Sequence, residues 1–420
     1  RGVGARDGRR HRPLCPTTPP PTMWVAGVHT DAPPELPHSC SSAEQAEVEA
    51  ECSALFSLFY SEEGTLERTR VVLGTSAHLA YLRDGVCTLG PGYASLDASR
   101  PWIAYWIVHS MVILGSPPGE ALAAAIVNFL GRCIDPESGG FCGGPHPGQS
   151  AHLAPTYAAV NTLVSLGTPE AYATVQRANL RSFLLRMKRA DGAFTMHDDG
   201  EVDVRGAYCA LSVAALTGEL DEHLAAGTAE WLLGCQTYEG GIGATPGEEA
   251  HGGYTFCGLA ALVLLSEAHK LRLQSLVAWL CQRQMAHSGG FQGRTNKLVD
   301  SCYSFWQGGA FPLVQTVLCS LGQLAADVDL YHAPGLLDYI LVCAQTPHGG
   351  LRDKPGKGRD YYHTCYSLSG LAIAASAHSL EGVPREWIEG VRLVNPVFNV
   401  VNEQVETALR HFGQRNTAKA

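Results

Sequence analysis

Two neighbouring apolar segments of the chain carry side chains that bind transition metals. Asp300 and Cys302 lie two positions apart in the stretch NKLVDSCYSFWQGG, and His363 lies in the next such segment. A carboxylate, a thiolate and an imidazole form a mixed ligand set that suits Zn²⁺, and three protein ligands leave the fourth tetrahedral position open. In a second interpretation, Asp300 caps a helix and Cys302 is a small buried hydrophobe. The spacing alone leaves both interpretations open.

Basic and hydroxyl side chains form a second candidate cluster, in or just after glycine-rich turns. Its members are His251, Arg294, Lys297 and Tyr303. Because Arg and Lys are the usual partners of phosphate, the cluster predicts an anion site, although Arg294 or Lys297 taken singly is more typical of a solvated loop. Asp353 lies in the loop RDKPGKGRD, which is either an ordinary polar turn or a site that brings Mg²⁺ to a diphosphate.

Aromatic residues recur near the beginnings of the apolar segments. They are Trp102, Trp106, Tyr157, Tyr208, Tyr254, Trp306, Tyr362 and Tyr366. Packing in the core explains any one of them. If the helices that carry them form a ring too wide to fill itself, they instead predict an aromatic funnel for a long apolar ligand.

An internal repeat organises the elements that position these residues. A glycine-rich turn recurs around Phe141, Phe194, Ile242, Phe291 and Leu351, in steps of 53, 48, 49 and 60 residues. An amphipathic helix precedes each turn and a nearly apolar, aromatic-rich helix follows it. The pattern predicts an all-α fold of about six helical hairpins, and the evenly apolar inner helices favour a closed α/α toroid (an α-α barrel) over an open superhelix.

Ring closure would bring the candidate metal ligands together. Cys302 lies 11 residues after Phe291, and His363 lies 12 residues after Leu351. They therefore occupy nearly equivalent positions in adjacent hairpins, and we expect them to be neighbours at one rim of the ring.

Composition excludes several classes of protein. The chain has 420 residues, of which 45% are hydrophobic and 17% charged, and its net charge of −10 argues against binding nucleic acid. It has no run of about 18 apolar residues, so we expect no stable membrane insertion. Its 14 cysteines are dilute and lack a C-x-x-C pair, which indicates buried thiols in a reducing, cytoplasmic location. We predict a disordered N-terminal extension (1–42), one catalytic domain (43–413) and a flexible tail (414–420).

Three segments resemble the β subunits of the protein prenyltransferase family, and within it the farnesyl-transferring members. They are EAHGGYTFCGLAAL, GGFQGRTNKLVDSCYSFWQGG and GGLRDKPGKGRDYYHTCYSLSGL, and the resemblance extends over residues 47–412. It implies a zinc enzyme that acts as a heterodimer with an α subunit. Such an enzyme transfers farnesyl from farnesyl diphosphate to the Cys thiol of a C-terminal CaaX motif through a zinc-bound thiolate.

The resemblance also implies roles for individual residues. Asp300, Cys302 and His363 resemble zinc ligands; His251, Arg294, Lys297 and Tyr303 resemble a diphosphate-binding set; and Asp353 resembles the carboxylate for a stimulatory Mg²⁺. Arg205, Tyr208, Tyr254, Cys257, Trp306 and Tyr366 resemble the isoprenoid wall, and Trp102, Trp106, His152, Glu201 and Tyr362 resemble the groove for the C-terminal peptide. The bulk of Trp102 and Tyr366 should limit the donor to 15 carbons.

Three alternatives follow from the same features. A type I geranylgeranyl-transferring β subunit would share the chemistry and differ in donor length. A glycoside hydrolase built on a toroid would need two carboxylates across a saccharide, whereas this rim is basic with a thiol at its centre. A non-catalytic scaffold would keep the barrel and hold no zinc.

Overall fold

A computed structural model describes residues 39–62 and 64–417. The α-helices of this part of the chain are α1 (Cys40–Ser57), α2 (Thr75–Cys87), α3 (Arg100–Ile113), α4 (Glu120–Arg132), α5 (Leu153–Leu166), α6 (Pro169–Thr174), α7 (Arg177–Met187), α8 (Val204–Thr217), α9 (Glu222–Ala225), α10 (Thr228–Gly234), α11 (Gly252–Leu264), α12 (Leu273–Cys281), α13 (Tyr303–Trp306), α14 (Ala310–Ser320), α15 (Ala333–Asp338), α16 (Tyr361–Ala374) and α17 (Asn402–Thr417). A π-helical stretch, Tyr339–Ala344, continues α15, and 3₁₀ turns occur at Arg68–Arg70, Pro91–Ser99, Ala268–Lys270 and Arg385–Trp387. Two antiparallel strand pairs complete the structure: β1 (Leu351–Arg352) with β2 (Arg359–Asp360), and β3 (Val394–Asn395) with β4 (Val400–Val401).

Six helices form a closed inner ring. In order, α3, α5, α8, α11, α13 and α16 each pack against the next, and α16 packs against α3. Helices α2, α4, α7, α10, α12 and α15 each pack outside an inner helix or its continuation. Burial separates the two layers, because α5 buries 12 of its 14 residues whereas α12 buries four of nine. The all-α toroid of six hairpins predicted from the repeat is confirmed.

The glycine-rich turns hold each hairpin to the next. Within each hairpin, the buried residue that marks the turn forms an isolated antiparallel bridge with a residue just after the preceding outer helix, as Phe291 does with Gln284. The last turn closes the ring: Gly349 has a φ of +76°, and a Cβ there would collide with the backbone oxygen of Ala77 in α2. Only glycine fits both the left-handed conformation and this close approach.

The fifth inner helix is interrupted, although the repeat predicts one continuous helix after each glycine-rich turn. Helix α13 ends at Trp306, and α14 begins only at Ala310. At Gly308 a Cβ would collide with the carbonyl oxygen of Ser304. The paired glycines therefore permit a tight backbone approach that breaks the regular helix.

The predicted chain ends lie largely outside this description. Residues 1–38 are not among the described residues, and residues 40–42 form the first turn of α1. Helix α17 runs to Thr417, into the segment predicted to be a tail. Among the described residues, no helix combines the length and apolarity that crossing a membrane requires.

Candidate active site

Asp300, Cys302 and His363 come together where α13 and α16 begin. One potential ligand atom from each lies within 4.8 Å of the others, and His363 Nε2 is 3.3 Å from Asp300 Oδ1. Asp300 Oδ1 also accepts a hydrogen bond of 2.8 Å from the Cys302 backbone N–H, and Cys302 is buried. The Asp300 carboxylate thus holds the turn that leads into α13, but the N-cap of that helix is Cys302 and not Asp300. Cys302 is buried as the second interpretation expects, and the three side chains lie close enough to share a metal ion, which stays a prediction.

A fourth residue, Asp360, orients His363. Asp360 is the N-cap of α16; its Oδ1 accepts the His363 backbone N–H at 2.7 Å, and its Oδ2 lies 2.6 Å from His363 Nδ1. Because a carboxylate accepts hydrogen bonds, Nδ1 carries the proton and Nε2 faces the cluster. Metal-binding histidines are held in this way by a carboxylate behind the ring.

Burial and charge perturb the three ligands in different directions. Burial by itself would lower the pKa of His363, but hydrogen bonds to Asp300 and Asp360 raise it to about 10. Burial would raise the pKa of Asp300, but the hydrogen bond and charge of His363 outweigh it and the pKa is lowered. Burial, then the neighbouring Asp300 charge, raise the pKa of Cys302 well above its usual range. A bound cation would reverse the effect on Cys302, because a metal-bound thiol is deprotonated.

The structure also brings together His152, Glu201 and His197, whose potential ligand atoms lie within 4.8 Å of one another. His152 Nδ1 accepts the Ala154 backbone N–H at 3.0 Å as the N-cap of α5, so the neutral ring carries its proton on Nε2. That proton points toward Glu201, 4.0 Å away. A metal ligand needs a lone pair at this nitrogen. Asp300, Cys302 and His363 therefore fit a metal ion better than His152, His197 and Glu201 do.

The predicted anion-binding residues meet only in part. His251 Nε2 lies 2.9 Å from the Tyr303 hydroxyl, and burial followed by the charge of Arg294 lowers the pKa of His251 to about 4. Arg294 itself is paired with Glu249 at 2.8 Å. Lys297 is exposed, and its backbone N–H donates to the Arg294 carbonyl oxygen and to Gln292 Oε1. Three of the four side chains thus share one region, and Lys297 lies on the adjoining loop.

Asp353 lies beside the cluster of Asp300, Cys302 and His363. Its backbone oxygen accepts the Ser301 N–H at 2.8 Å, and its carboxylate is hydrogen-bonded to the Lys354 ammonium. Burial, then the charge of Asp300, raise the pKa of Asp353, and Lys354 opposes them. The sequence did not assign Lys354 a role, yet it is the immediate partner of this carboxylate.

The aromatic side chains form one continuous group inside the ring. Trp306 stacks on Tyr366 at 4.5 Å between ring centroids, Tyr362 contacts Tyr366 at 4.9 Å, and Trp106 contacts Tyr362 at 5.5 Å. Trp102 lies 5.9 Å from Trp106. Tyr366 is fully buried, whereas the other four rings are partly exposed although their helices are enclosed by the outer layer. A ligand could therefore reach these four rings.

The remaining residues predicted for the isoprenoid wall adjoin this group. Tyr208 and Cys257 are buried, and Tyr208 contacts Phe256, which in turn contacts Trp306. The Arg205 guanidinium lies 5.8 Å from the Tyr254 ring centre, and Tyr254 is 5.2 Å from His251. The aromatic surface thus reaches the edge of the anion cluster.

Three residues that contact the predicted site residues were not predicted from the sequence: Asp360, His197 and Glu249. The signal for Asp360 was available, since Asp three residues before His363 is the spacing of a helix cap that reaches the third helical residue. His197 and Glu249 lie in loops, and no periodic pattern indicates which side chains those loops bring together.

Comparison with known proteins agrees with this architecture. Residues 73–400 match the family model described as the prenyltransferase alpha-alpha toroid domain. The chain is 39% identical to a protein farnesyltransferase subunit beta of Arabidopsis thaliana, over 89% of each chain. It is 29% identical to a geranylgeranyl transferase type-1 subunit beta of the same plant, over 70% of this chain and 84% of that one. The solved structure of Candida albicans protein geranylgeranyltransferase-I complexed with GGPP shares the fold, with a TM-score of 0.68 and 21% identity over 81% of this chain and 99% of that chain.

Proposed function

Because this chain belongs to the protein farnesyltransferase β-subunit family, we propose that it transfers farnesyl from farnesyl diphosphate to the Cys thiol of C-terminal CaaX motifs at a zinc site formed by Asp300, Cys302 and His363. The family is one of protein prenyltransferase enzymes. The oxygen, sulfur and nitrogen donors of this cluster, with His363 held by Asp360, are the observation that carries the proposal.

The donor set fits Zn²⁺, which accepts carboxylate, thiolate and imidazole ligands in a tetrahedral site. When bound, Zn²⁺ lowers the pKa of the substrate thiol so that thiolate is available near neutral pH. The new bond joins the substrate sulfur to C1 of the farnesyl chain, and the bond from C1 to the diphosphate oxygen breaks with its electron pair leaving on diphosphate.

Residues of the anion cluster stabilise the departing diphosphate. His251 Nδ1 accepts the Gly253 backbone N–H at 3.0 Å, so the neutral ring presents an Nε2–H donor. The Tyr303 hydroxyl and the Arg294 guanidinium add further donors. These hydrogen-bond donors are already in place where negative charge develops on the diphosphate. They therefore lower the activation barrier for transfer, and the protein need not rearrange during the reaction. We assign Lys297 to the same set and Asp353 to a stimulatory Mg²⁺.

Farnesyl is favoured over geranylgeranyl as the donor group. Identity to the farnesyltransferase β subunit of Arabidopsis exceeds identity to the geranylgeranyl-transferring β subunit of that plant, 39% against 29%. Trp102 and Tyr366 are both members of the aromatic group, and their bulk reduces the space available to a longer chain. Lipid length is then limited by volume.

The protein substrate and an α subunit complete the proposal. The names of the relatives as β subunits support a heterodimer. Trp102, Trp106 and Tyr362 are contiguous, and His152 adjoins Glu201, which supports their assignment to the groove for the C-terminal peptide. We propose a cytoplasmic location, supported by buried free thiols such as those of Cys209, Cys257 and Cys365 in the described part of the chain.

The test is lipid transfer by the heterodimer, with the α subunit co-expressed. Farnesyl and geranylgeranyl transfer to a CaaX peptide would be measured for wild type, Cys302→Ala and the matched control Cys133→Ala, which removes another buried thiol. We expect farnesyl transfer and bound zinc in wild type and in the control, and loss of both in Cys302→Ala. A wild type that prefers the longer donor would favour the geranylgeranyl alternative, and one that transfers neither lipid and holds no zinc would favour the scaffold.

A further inference from the structure

The backbone of residues 397–399, between β3 and β4, packs against buried side chains of the inner helices, and we call it the carbonyl floor. Its three consecutive carbonyl oxygens all accept hydrogen bonds from inner-helix side chains. The donors are Tyr208 to the Val397 oxygen at 2.8 Å, Tyr157 and Asn161 to the Phe398 oxygen at 3.0 Å each, and Tyr105 to the Asn399 oxygen at 2.6 Å.

The donors come from three successive inner helices: α3, α5 and α8. Their side chains are at most 2% exposed. The Asn399 side chain adds a contact of 3.1 Å from its Oδ1 to His109 Nε2, and Asn399 has a φ of +52°, a conformation that Asn and Gly tolerate best. The floor is therefore fixed to each of these helices through buried groups.

Tyr105 and Tyr157 form a second layer behind the candidate lipid site, and this layer continues into Tyr208 of the isoprenoid wall. The Trp102 ring lies 5.6 Å from Tyr157 and 6.0 Å from Tyr105, and Tyr157 lies 5.4 Å from Tyr208. Trp102 thus rests on rings whose hydroxyl groups are bonded to the carbonyl floor. A ligand that pushes Trp102 aside must move those rings.

We infer that the carbonyl floor is a specificity-determining element: by holding the hydroxyls of Tyr105, Tyr157 and Tyr208, it prevents the layer behind Trp102 from yielding to donors longer than farnesyl. The inference rests on the proposed function. It differs from a limit set by side-chain bulk alone, because displacing a bonded tyrosine leaves a buried hydroxyl and a buried carbonyl without partners. The limit on donor length is then partly a matter of hydrogen bonding.

Two changes remove hydrogen bonds while keeping the rings. Tyr105→Phe deletes the bond to the Asn399 oxygen, and the double variant Tyr157→Phe, Asn161→Leu deletes both bonds to the Phe398 oxygen. The measurement is kcat/KM of the heterodimer for farnesyl diphosphate and for geranylgeranyl diphosphate with one CaaX peptide. Each deleted bond should lower the preference for farnesyl by about 2- to 10-fold, mainly by raising the rate with the longer donor.

Thr217→Val is the matched control, since it removes a buried hydroxyl whose 2.8 Å bond lies within α8. The control should lose stability without a change in donor preference. Unchanged preference in both floor variants would overturn the inference and leave the proposed function intact, whereas a wild type without farnesyl transfer would overturn the proposed function itself. If one of the two floor variants does not fold, the other decides: a lowered preference for farnesyl supports the floor, and an unchanged one refutes it.

Discussion

Replacing Asp360 by Asn should weaken metal binding while leaving the helix cap in place. The carboxylate of Asp360 has two separable tasks, since Oδ1 accepts the His363 backbone N–H at 2.7 Å and Oδ2 accepts the Nδ1 proton at 2.6 Å. Asn supplies an equivalent capping oxygen and caps helices about as well as Asp. Its NH₂ group, however, cannot accept a proton from Nδ1. The imidazole must then move its proton to Nε2, which faces Asp300, or turn away from the cluster.

The expected loss is 10- to 100-fold in metal affinity, the range for removing a carboxylate behind a metal-binding histidine. That corresponds to about 1.4 to 2.7 kcal/mol of binding free energy. Zinc affinity of the heterodimer would be measured by competition with a chelator, and the free energy of unfolding by urea titration of the metal-free protein. Asp221→Asn is the matched control, because Asp221 caps α9 through the Leu224 N–H. If Asp360→Asn holds zinc as tightly as wild type, the orienting role of Asp360 is wrong.

Three further predictions concern the helix break, the second metal and pH. Gly308→Ala places a methyl group against the Ser304 carbonyl oxygen and should lower the free energy of unfolding by about 1–3 kcal/mol. As a control, Gly413→Ala lies in open space on α17 and should raise the free energy of unfolding by up to about 1 kcal/mol. Urea titration measures both changes. Asp353→Ala should abolish stimulation of lipid transfer by Mg²⁺ and leave a metal-free rate, so stimulation equal to wild type would refute that assignment. Burial lowers the pKa of His109 to about 4 against the opposing hydrogen bond to Asn399, so the unfolded chain binds its proton first and stability falls as pH drops from about 6.5 to 4. His109→Gln should therefore reduce the slope of the unfolding free energy against pH in that window by the equivalent of up to one bound proton. Replacing the exposed His146 by Gln should not reduce that slope.

The ring could be predicted from sequence because it is periodic. Turns at nearly constant spacing fix the number of hairpins, and the evenly apolar second helix of each pair indicates enclosure. Equivalent positions in adjacent repeats must then be neighbours, so the repeat predicts that Cys302 and His363 lie close together, as they do in the structure. In a repeat fold, residues far apart in the sequence are therefore predicted to be neighbours when they occupy equivalent positions in adjacent repeats.

Departures from the repeat could not be predicted in this way. The break after Trp306 depends on how closely the backbone of Gly308 approaches Ser304, and no hydrophobic period records that distance. The pair between Arg294 and Glu249 joins two loops 45 residues apart, where polar side chains have many possible partners. Regular elements are specified by pattern, whereas contacts between loops are specified by geometry that exists only in the folded chain.

The beginnings of the inner helices explain why the site lies at this rim. His152, His251 and Asp360 are N-caps of three of them, and each uses one atom to satisfy a backbone N–H. The positive ends of the helix dipoles are gathered there, which favours an anion locally in a chain whose net charge is −10. The second polar atom of the capping side chain then contacts the site. His251 Nε2 faces the Tyr303 hydroxyl, and Asp360 Oδ2 holds the imidazole of His363. Alanine at such a position removes the cap and the site contact together, so only a substitution that keeps the capping atom, as Asp360→Asn does, can show which of the two effects limits activity.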